Sequence, residues 1–449
     1  MIARVPSLHR SAVPFLALLA FVAACDDSGS PSGPGKDGGP NGSDGSDNGV
    51  HSWYGDIGPM LIEHCGGCHQ DGGIAPFEIN YESAYQWRAL IKSTTEARTM
   101  PPMPVNNDGS CRTYSNARWL SDDQIEDIGE WVDAGAPEGV EKELPGLPAG
   151  AELKDPDVET DTGIDYMANG DVSDDYRCFP IAWNQASDKY MTAYEVVPGN
   201  RQIAHHMILY MIADDQKSWV TQEDAKDETP GYPCYGSASP GNPMPVVLWA
   251  PGSGRTDMPA GTGIKIPQNA MLVMQMHYNL ANGPGTDRTT IRMKLADSVT
   301  EPAIYVPLLN SQIDIQPQME EEVELPGSTY EAGHLPIPNV EIPIPLTIHG
   351  VFPHMHQKGT KLKVTFESTE TGEECLVDVH KWDFNWQEGW WYDEPFVMPS
   401  TGTNRAFDIT CTFNSTGTNT VTNWGEGSSD EMCLTFAYAT SPLLEYLGF

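Results

Sequence analysis

Cys65-Gly66-Gly67-Cys68-His69 sets two thiols three positions apart with an imidazole directly after the second. At that spacing the thiols can form thioethers to both vinyl groups of one haem while His69 reaches the iron, so the run reads as a c-type haem attachment site. Further along stand histidines and a methionine that suit a metal. His205 and His206 are adjacent, and His277 lies in Met276-His277-Tyr278-Asn279. His354 and His356 form His-x-His, and Met432 sits in Asp430-Glu431-Met432-Cys433. Alternate residues of a strand share a face, so His354 and His356 can chelate one ion. Adjacent residues face opposite ways, and His205 and His206 can serve one ion only where a bend or bulge turns the strand. Met207 and Met355 flank these ligands on the other face and are expected to pack.

The haem iron needs a sixth ligand, a thioether or a second imidazole. Met100 opens Met100-Pro101-Pro102-Met103-Pro104, a run that its prolines hold extended. Met100 is the expected ligand and Met103 the alternative. A redox or zinc-binding pair competes for Cys65 and Cys68, but zinc would ask for a second pair and only Cys111 follows in this stretch.

These groups need elements to hold them. Residues 51–138 have helical grammar: Ser121 and Gln124 form a capping box, Ile125, Ile128, Trp131 and Val132 recur at helical spacing, and Gly135 with Pro137 ends the run. A second short helix around Ile57–His64 would lead into Cys65. Residues 139–163 read as an acidic linker. From 164 onward the pattern turns to short β-rich segments separated by Gly, Pro, Asn and Asp, as in 194–197, 203–212, 270–279, 361–366 and 433–438. That spacing predicts two all-β sandwiches, jelly-roll-like, over 164–304 and 305–449. The fold class is therefore multidomain, with a small all-α domain before two sandwiches.

The N-terminus is a secretory signal: Arg4, His9 and Arg10 precede the apolar stretch Ala12–Ala24. Val22-Ala23-Ala24-Cys25 resembles a bacterial lipobox, which implies that residues 1–25 are a lipoprotein signal and that Cys25 carries the lipid. Residues 26–50, rich in Gly, Ser and Asp, form a flexible tether. The expected location is the bacterial cell envelope, with membrane contact through the anchor alone. Sixty-three Asp and Glu against 25 Lys and Arg leave a net charge of −38, which excludes nucleic acid as a partner. Forty-three glycines and 37 prolines favour strands and turns. Of nine cysteines, lipidation and haem would take three, and the even remainder points to disulfides in an exported chain.

The helical block, with its motif near the start, a Met-Pro-Pro run downstream and a terminal amphipathic helix, looks like a class I cytochrome c domain. The order His-His-Met, His-Tyr-x-Asn, His-x-His and Asp-Glu-Met-Cys resembles the copper type II, ascorbate-dependent monooxygenases, which include dopamine β-monooxygenase and the peptidylglycine α-hydroxylating enzymes. That resemblance implies an electron-transfer copper on His205, His206 and His277, and an oxygen-binding copper on His354, His356 and Met432. It implies disulfides Cys178–Cys234 and Cys411–Cys433, leaving Cys111 and Cys375, which could be joined across domains. Three imidazoles suit a copper that changes oxidation state, and a thioether favours its reduced form. A zinc hydrolase would have no use for methionine.

The expected activity is hydroxylation of a C–H bond of a small organic substrate by dioxygen. Its two electrons would come through the fused haem, from a donor protein or a small reductant such as ascorbate. The alternative is a non-enzymatic envelope carrier of electrons or copper. Where peptide-amidating members bind the substrate carboxylate with arginine, asparagine and tyrosine, this chain has Phe352, Leu434 and Phe436. A peptide carboxylate would find no charged partner there.

Overall fold

The computed structural model describes residues 51–448, except 71–74, 107–108, 147–151, 242, 252, 319–321, 326, 332–344 and 400–404. Cys25 and the 26–50 tether lie outside the described residues. Among the described residues, no helix is long and apolar enough to cross a membrane.

A π-helical turn, Trp53–Ile57, runs into α1 (Gly58–Cys65), followed by α2 (Tyr81–Glu96) and α3 (Asp122–Asp133). The capping box forms as its sequence requires: Ser121 Oγ accepts the Gln124 N–H at 3.1 Å, and Gln124 Oε1 accepts the Ser121 N–H at 2.8 Å. Trp53, Leu61, Ile91, Ile128 and Trp131 close a small core of their own. Helix α2 is absent from the sequence reading. Only Ala84, Ile91 and Thr95 are buried on it, too sparse an apolar stripe to announce 16 residues of helix.

The stretch between α2 and α3 departs from the expected domain boundary. Val105 and Tyr114 form β-bridges to Val379 and Tyr392, Cys111 is bonded to Cys375, and Met103 and Trp119 pack on the C-terminal core. Part of the 51–138 block thus belongs physically to the last third of the chain. A helical excursion is easy to read by periodicity, whereas an extended strap owes its place to partners 260 residues away, which no local pattern encodes.

The β region contains strands β1 (Val158–Asp161), β2 (Asp174–Ile181), β3 (Lys189–Val197), β4 (Ala204–Ile212), β5 (Met244–Trp249), β6 (Thr262–Ile266), β7 (Met271–Asn279), β8 (Thr290–Ala296) and β9 (Glu301–Leu309). Then come β10 (Thr347–His354), β11 (Gly359–Ser368), β12 (Gly372–Val379), β13 (Trp390–Val397), β14 (Ala406–Phe413) and β15 (Leu434–Thr440). A short helix α4 (Lys217–Asp224) interrupts the first set. β1 lies inside the expected linker, and its pairing with β8 makes the end of that linker part of the first sandwich.

One long sheet runs β1-β8-β3-β6-β9-β15-β10-β13 through both halves. Its centre is the parallel pair β6–β9, and β9 crosses the expected break at 304/305. The two sandwiches are therefore joined edge to edge by ladder hydrogen bonds. Facing this sheet are β2-β7-β4-β5 in the first half and β14-β11-β12 in the second. Two cores fill the layers, one with Met191, Tyr194, Leu272 and Tyr278, the other with Val364, Phe366, Trp390 and Phe407. Met207 and Met355 are fully buried in them, as expected.

Candidate metal centre

The bulge that the sequence demands at His205 is present. His277 on β7 pairs with His206 on β4, and the next residue, Tyr278, pairs with Ala204, so His205 is the extra residue. Both adjacent imidazoles thereby turn toward His277. Among the described residues, His205, His206 and His277 form a cluster whose ligand atoms lie within 4.8 Å of one another. The Nδ1 atoms of His205 and His277 each lie 3.3 Å from His206 Nδ1. Nitrogens bound at about 2.0 Å around a tetrahedral ion would be separated by about the same distance.

Asp174, a residue the sequence reading did not single out, sets the tautomer. Its Oδ1 lies 2.8 Å from His277 Nε2, and a carboxylate can only accept, so Nε2 carries the proton and Nδ1 keeps its lone pair. Burial alone would raise the Asp174 pKa, but hydrogen bonds from His277 and Ser428 hold it well below the usual carboxylate range. Tyr176 stacks on His277 at 4.1 Å and fixes the ring plane. A carboxylate behind a ligand histidine is a recurrent device of metal sites. Its position 103 residues upstream of His277 gives it no motif.

His354 ends β10, and His356 lies just beyond the strand; their rings are perpendicular with centroids 5.1 Å apart. Gln387 plays for His354 the part Asp174 plays for His277. Its Nε2 donates to the Phe384 carbonyl at 2.9 Å, which leaves Oε1 to accept His354 Nδ1–H at 2.6 Å. Nε2 of His354 is then free for an ion. Glu431 holds the backbone around this pair by accepting the N–H groups of His356 at 3.0 Å, Met432 at 3.3 Å and Lys358. Met432 is buried and shares with His354 the wall of a cavity of about 210 Å³.

The donor set fits metal. Both ring nitrogens of His356 and Nε2 of His205 are buried with no hydrogen-bond partner, each a group that costs about 1–3 kcal/mol to bury unsatisfied. Burial lowers the pKa of His205, His206, His354 and His356, so the rings are neutral and their lone pairs available. The remaining cavity wall is largely apolar: Trp249, Phe352, Leu434 and Phe436 face it, together with the carboxyl of Glu426. All three residues that replace the carboxylate-binding positions thus line this space.

In the helical block, Cys65 and Cys68 are unpaired. The described cysteines beyond them are joined as Cys178–Cys234, Cys411–Cys433 and Cys111–Cys375, with Cα separations of 5.7, 5.9 and 5.1 Å. His69 Nδ1–H donates to the Phe77 carbonyl at 2.9 Å, leaving Nε2 with its lone pair. Met100 and Met103 both line a cavity beside α3, but Met103 is spent partly on the C-terminal core while Met100 is not.

Residues 165–284 match the copper type II ascorbate-dependent monooxygenase N-terminal domain, and residues 306–443 its C-terminal domain. Together the matches span more than half of the chain. No curated protein matches it. Among solved structures, the major capsid protein P2 of bacteriophage PM2 is 7% identical with a TM-score of 0.26, over 63% of this chain and 97% of that one. The VP2 subviral particle of infectious bursal disease virus is 11% identical with a TM-score of 0.18, over 64% and 71%. The structure of the Gx strain of that virus is also 11% identical, with a TM-score of 0.17, over 63% and 69%. Likenesses this slight carry no argument.

Proposed function

Because the chain belongs to the copper type II, ascorbate-dependent monooxygenases, we propose that it hydroxylates a C–H bond of a small, largely apolar substrate in the cavity beside His354 and Met432. In this reading His205, His206 and His277 hold one copper, and His354, His356 and Met432 hold the second. The observation that carries it is the convergence of three buried imidazoles, those of His205, His206 and His277, whose ligand atoms lie within 4.8 Å of one another, beside a His356 ring that is buried without a hydrogen-bond partner and could give one nitrogen to a second ion. Copper supplies the one-electron cycling and dioxygen chemistry. The chain's own residues do the rest. Asp174 and Gln387 keep the ligand nitrogens deprotonated and aimed, Glu431 fixes the backbone between His356 and Met432, and the aromatic wall keeps water from the reacting bond. Phe352, Leu434 and Phe436 would leave a substrate carboxylate without a charged partner, which argues against peptidylglycine.

In the same reading Cys65 and Cys68 would hold a c-type haem, with His69 and Met100 as the residues that would ligate its iron, and that group would supply one-electron transfer to the copper sites. The free thiols and the Phe77-oriented imidazole support it. The protein is exported and lipid-anchored at Cys25.

Purified protein should contain two coppers and one covalent haem per chain and consume oxygen in step with product in a screen of aromatic, amine and peptidylglycine substrates. One copper or none, or oxygen uptake without any hydroxylated product, would defeat the reading. Cys65→Ala should abolish covalent haem, Met100→Leu should keep it at a lower potential, and Cys25→Ser should leave the membrane fraction.

A further inference from the structure

The strap between α2 and α3 reaches the wall of the cavity from outside. Tyr114 bridges Tyr392 on β13, the last strand of the long sheet, and the Ser115 N–H donates to the Trp391 carbonyl at 2.8 Å. The next residue, the half-buried Asn116, uses both ends of its amide. Its Nδ2 donates to the Gly389 carbonyl at 2.7 Å and its Oδ1 accepts the Trp391 N–H at 3.0 Å, a pairing that also fixes which way the amide faces. Arg118, paired with Glu388, adds a second tie to the same stretch.

The two residues that Asn116 holds are the ones that box in Phe352. The Gly389 backbone lies so close that a Cβ there would overlap the Phe352 ring, and the Trp391 ring meets that ring edge to face at 5.4 Å. Phe352 and His354 are alternate residues of β10, and both line the cavity. Gly389 also closes the stretch 386–389, whose Gln387 accepts His354 Nδ1–H and so leaves Nε2 for an ion. That stretch lies in neither helix nor strand, so no ladder holds it and side-chain hydrogen bonds must.

We propose that Asn116 is a positioning residue for the second metal centre: through Gly389 and Trp391 it seats Gln387 on His354 and holds the Phe352 ring in the cavity wall. This rests on the reading of His354, His356 and Met432 as copper ligands. A residue outside both family-matched regions thereby completes a site whose ligands all lie in the second of them.

The test uses the full chain. In the copper-free protein, Asn116→Ala should quicken hydrogen exchange of the 386–391 amides at least tenfold while β9 and β15 exchange as in wild type. Nitrogen NMR should show His354 passing from one tautomer, with the proton on Nδ1, to a mixture of two. Competition for cuprous ion against a chelator should show affinity at the His354 centre lowered about tenfold. In the Met432→Ala background, which keeps only the three-imidazole centre, Asn116→Ala should leave affinity unchanged. Asn116→Gln, which offers the same donor and acceptor, should recover most of the loss. Asn116→Asp, which keeps the acceptor for Trp391, is the milder change should the alanine variant fold poorly, and should show the same exchange and tautomer effects. Arg112→Met frees the strap from the Cys375 carbonyl and Glu374 without touching Gly389, and should leave cuprous affinity unaltered. Wild-type exchange with a single His354 tautomer in the Asn116 variants, or an equal loss of affinity in Arg112→Met, would overturn the proposal. A wild-type chain that binds fewer than two cuprous ions would overturn the copper reading, and the metal-free exchange and tautomer measurements would still decide the role of Asn116.

Discussion

The imidazoles of His206 and His354, which come from different sandwiches, meet edge to face with ring centroids 5.4 Å apart. Phe384 extends the contact, stacking on His205 at 4.3 Å and lying edge-on to His356 at 6.2 Å. Five histidines from two halves of the chain therefore form one buried cluster. The shared sheet explains why: with β9 hydrogen-bonded to β6 of the first half and β15 of the second, the facing sheets meet along a common seam. Two sequence motifs that suggest separate centres are two sides of one interior.

The ligand assignments nevertheless predict separable metals. Met432→Ala removes a thioether from the His354 and His356 side and touches none of the three convergent Nδ1 atoms. Copper content should fall from about two to about one per chain, with hydroxylation lost. Copper analysis and single-turnover product measurement check this, and full activity in the variant would refute the role of Met432.

Asp174 makes a sharper demand. Asp174→Asn can turn a donor toward His277 Nε2 and so favour the tautomer with the proton on Nδ1, the atom that faces the ion. Affinity for the copper of that cluster should fall about 10–100-fold. Competition against a chelator of known affinity measures it, and unchanged affinity would mean that the carboxylate serves only packing.

How much of this could be read from the chain depends on whether a residue's role is local. The capping box of α3, the strands around His206 and His277, and the bulge at His205 follow from neighbours in sequence, and each is found. Cys178–Cys234 and Cys411–Cys433 came with the family pattern and are formed. Asp174, Gln387 and Glu431 were not legible, because an acid or amide among 63 acidic residues acquires meaning only from the ring it touches. The contacts that cross the expected domain limits were hidden for a related reason. Composition marks linkers, but the strap at 103–119 and strand β1 are polar segments recruited by pairing with distant strands.

The Cys111–Cys375 disulfide closes a span of 264 residues and is the covalent tie between strap and second sandwich. Replacing both cysteines by serine should cost about 2–5 kcal/mol in the oxidised protein and expose the strap to protease before the sandwiches unfold. Denaturant unfolding and limited proteolysis report the two effects separately. Wild-type proteolysis kinetics would show that the bridges at Val105 and Tyr114 suffice without it.

Glu426 gives a prediction with a definite sign. Burial, reinforced by the nearby Asp430 carboxylate, pushes its pKa from an ordinary 4.5 up to about 7. Below pH 4.5 the group is protonated in folded and unfolded chains alike and has no effect on stability. Between 4.5 and 7 the unfolded chain releases its proton while the native protein still holds it, so this residue makes the fold progressively less stable as pH rises; above 7 the penalty is constant. Glu426→Gln, neutral at every pH, should therefore gain on wild type from pH 4.5 to 7 and hold that gain at higher pH. Thermal melting of the copper-free proteins across this range is the measurement, because a bound cation would itself shift the carboxyl. Parallel curves for the two proteins would mean that the Glu426 carboxyl is solvated and not held in the apolar cavity beside His354.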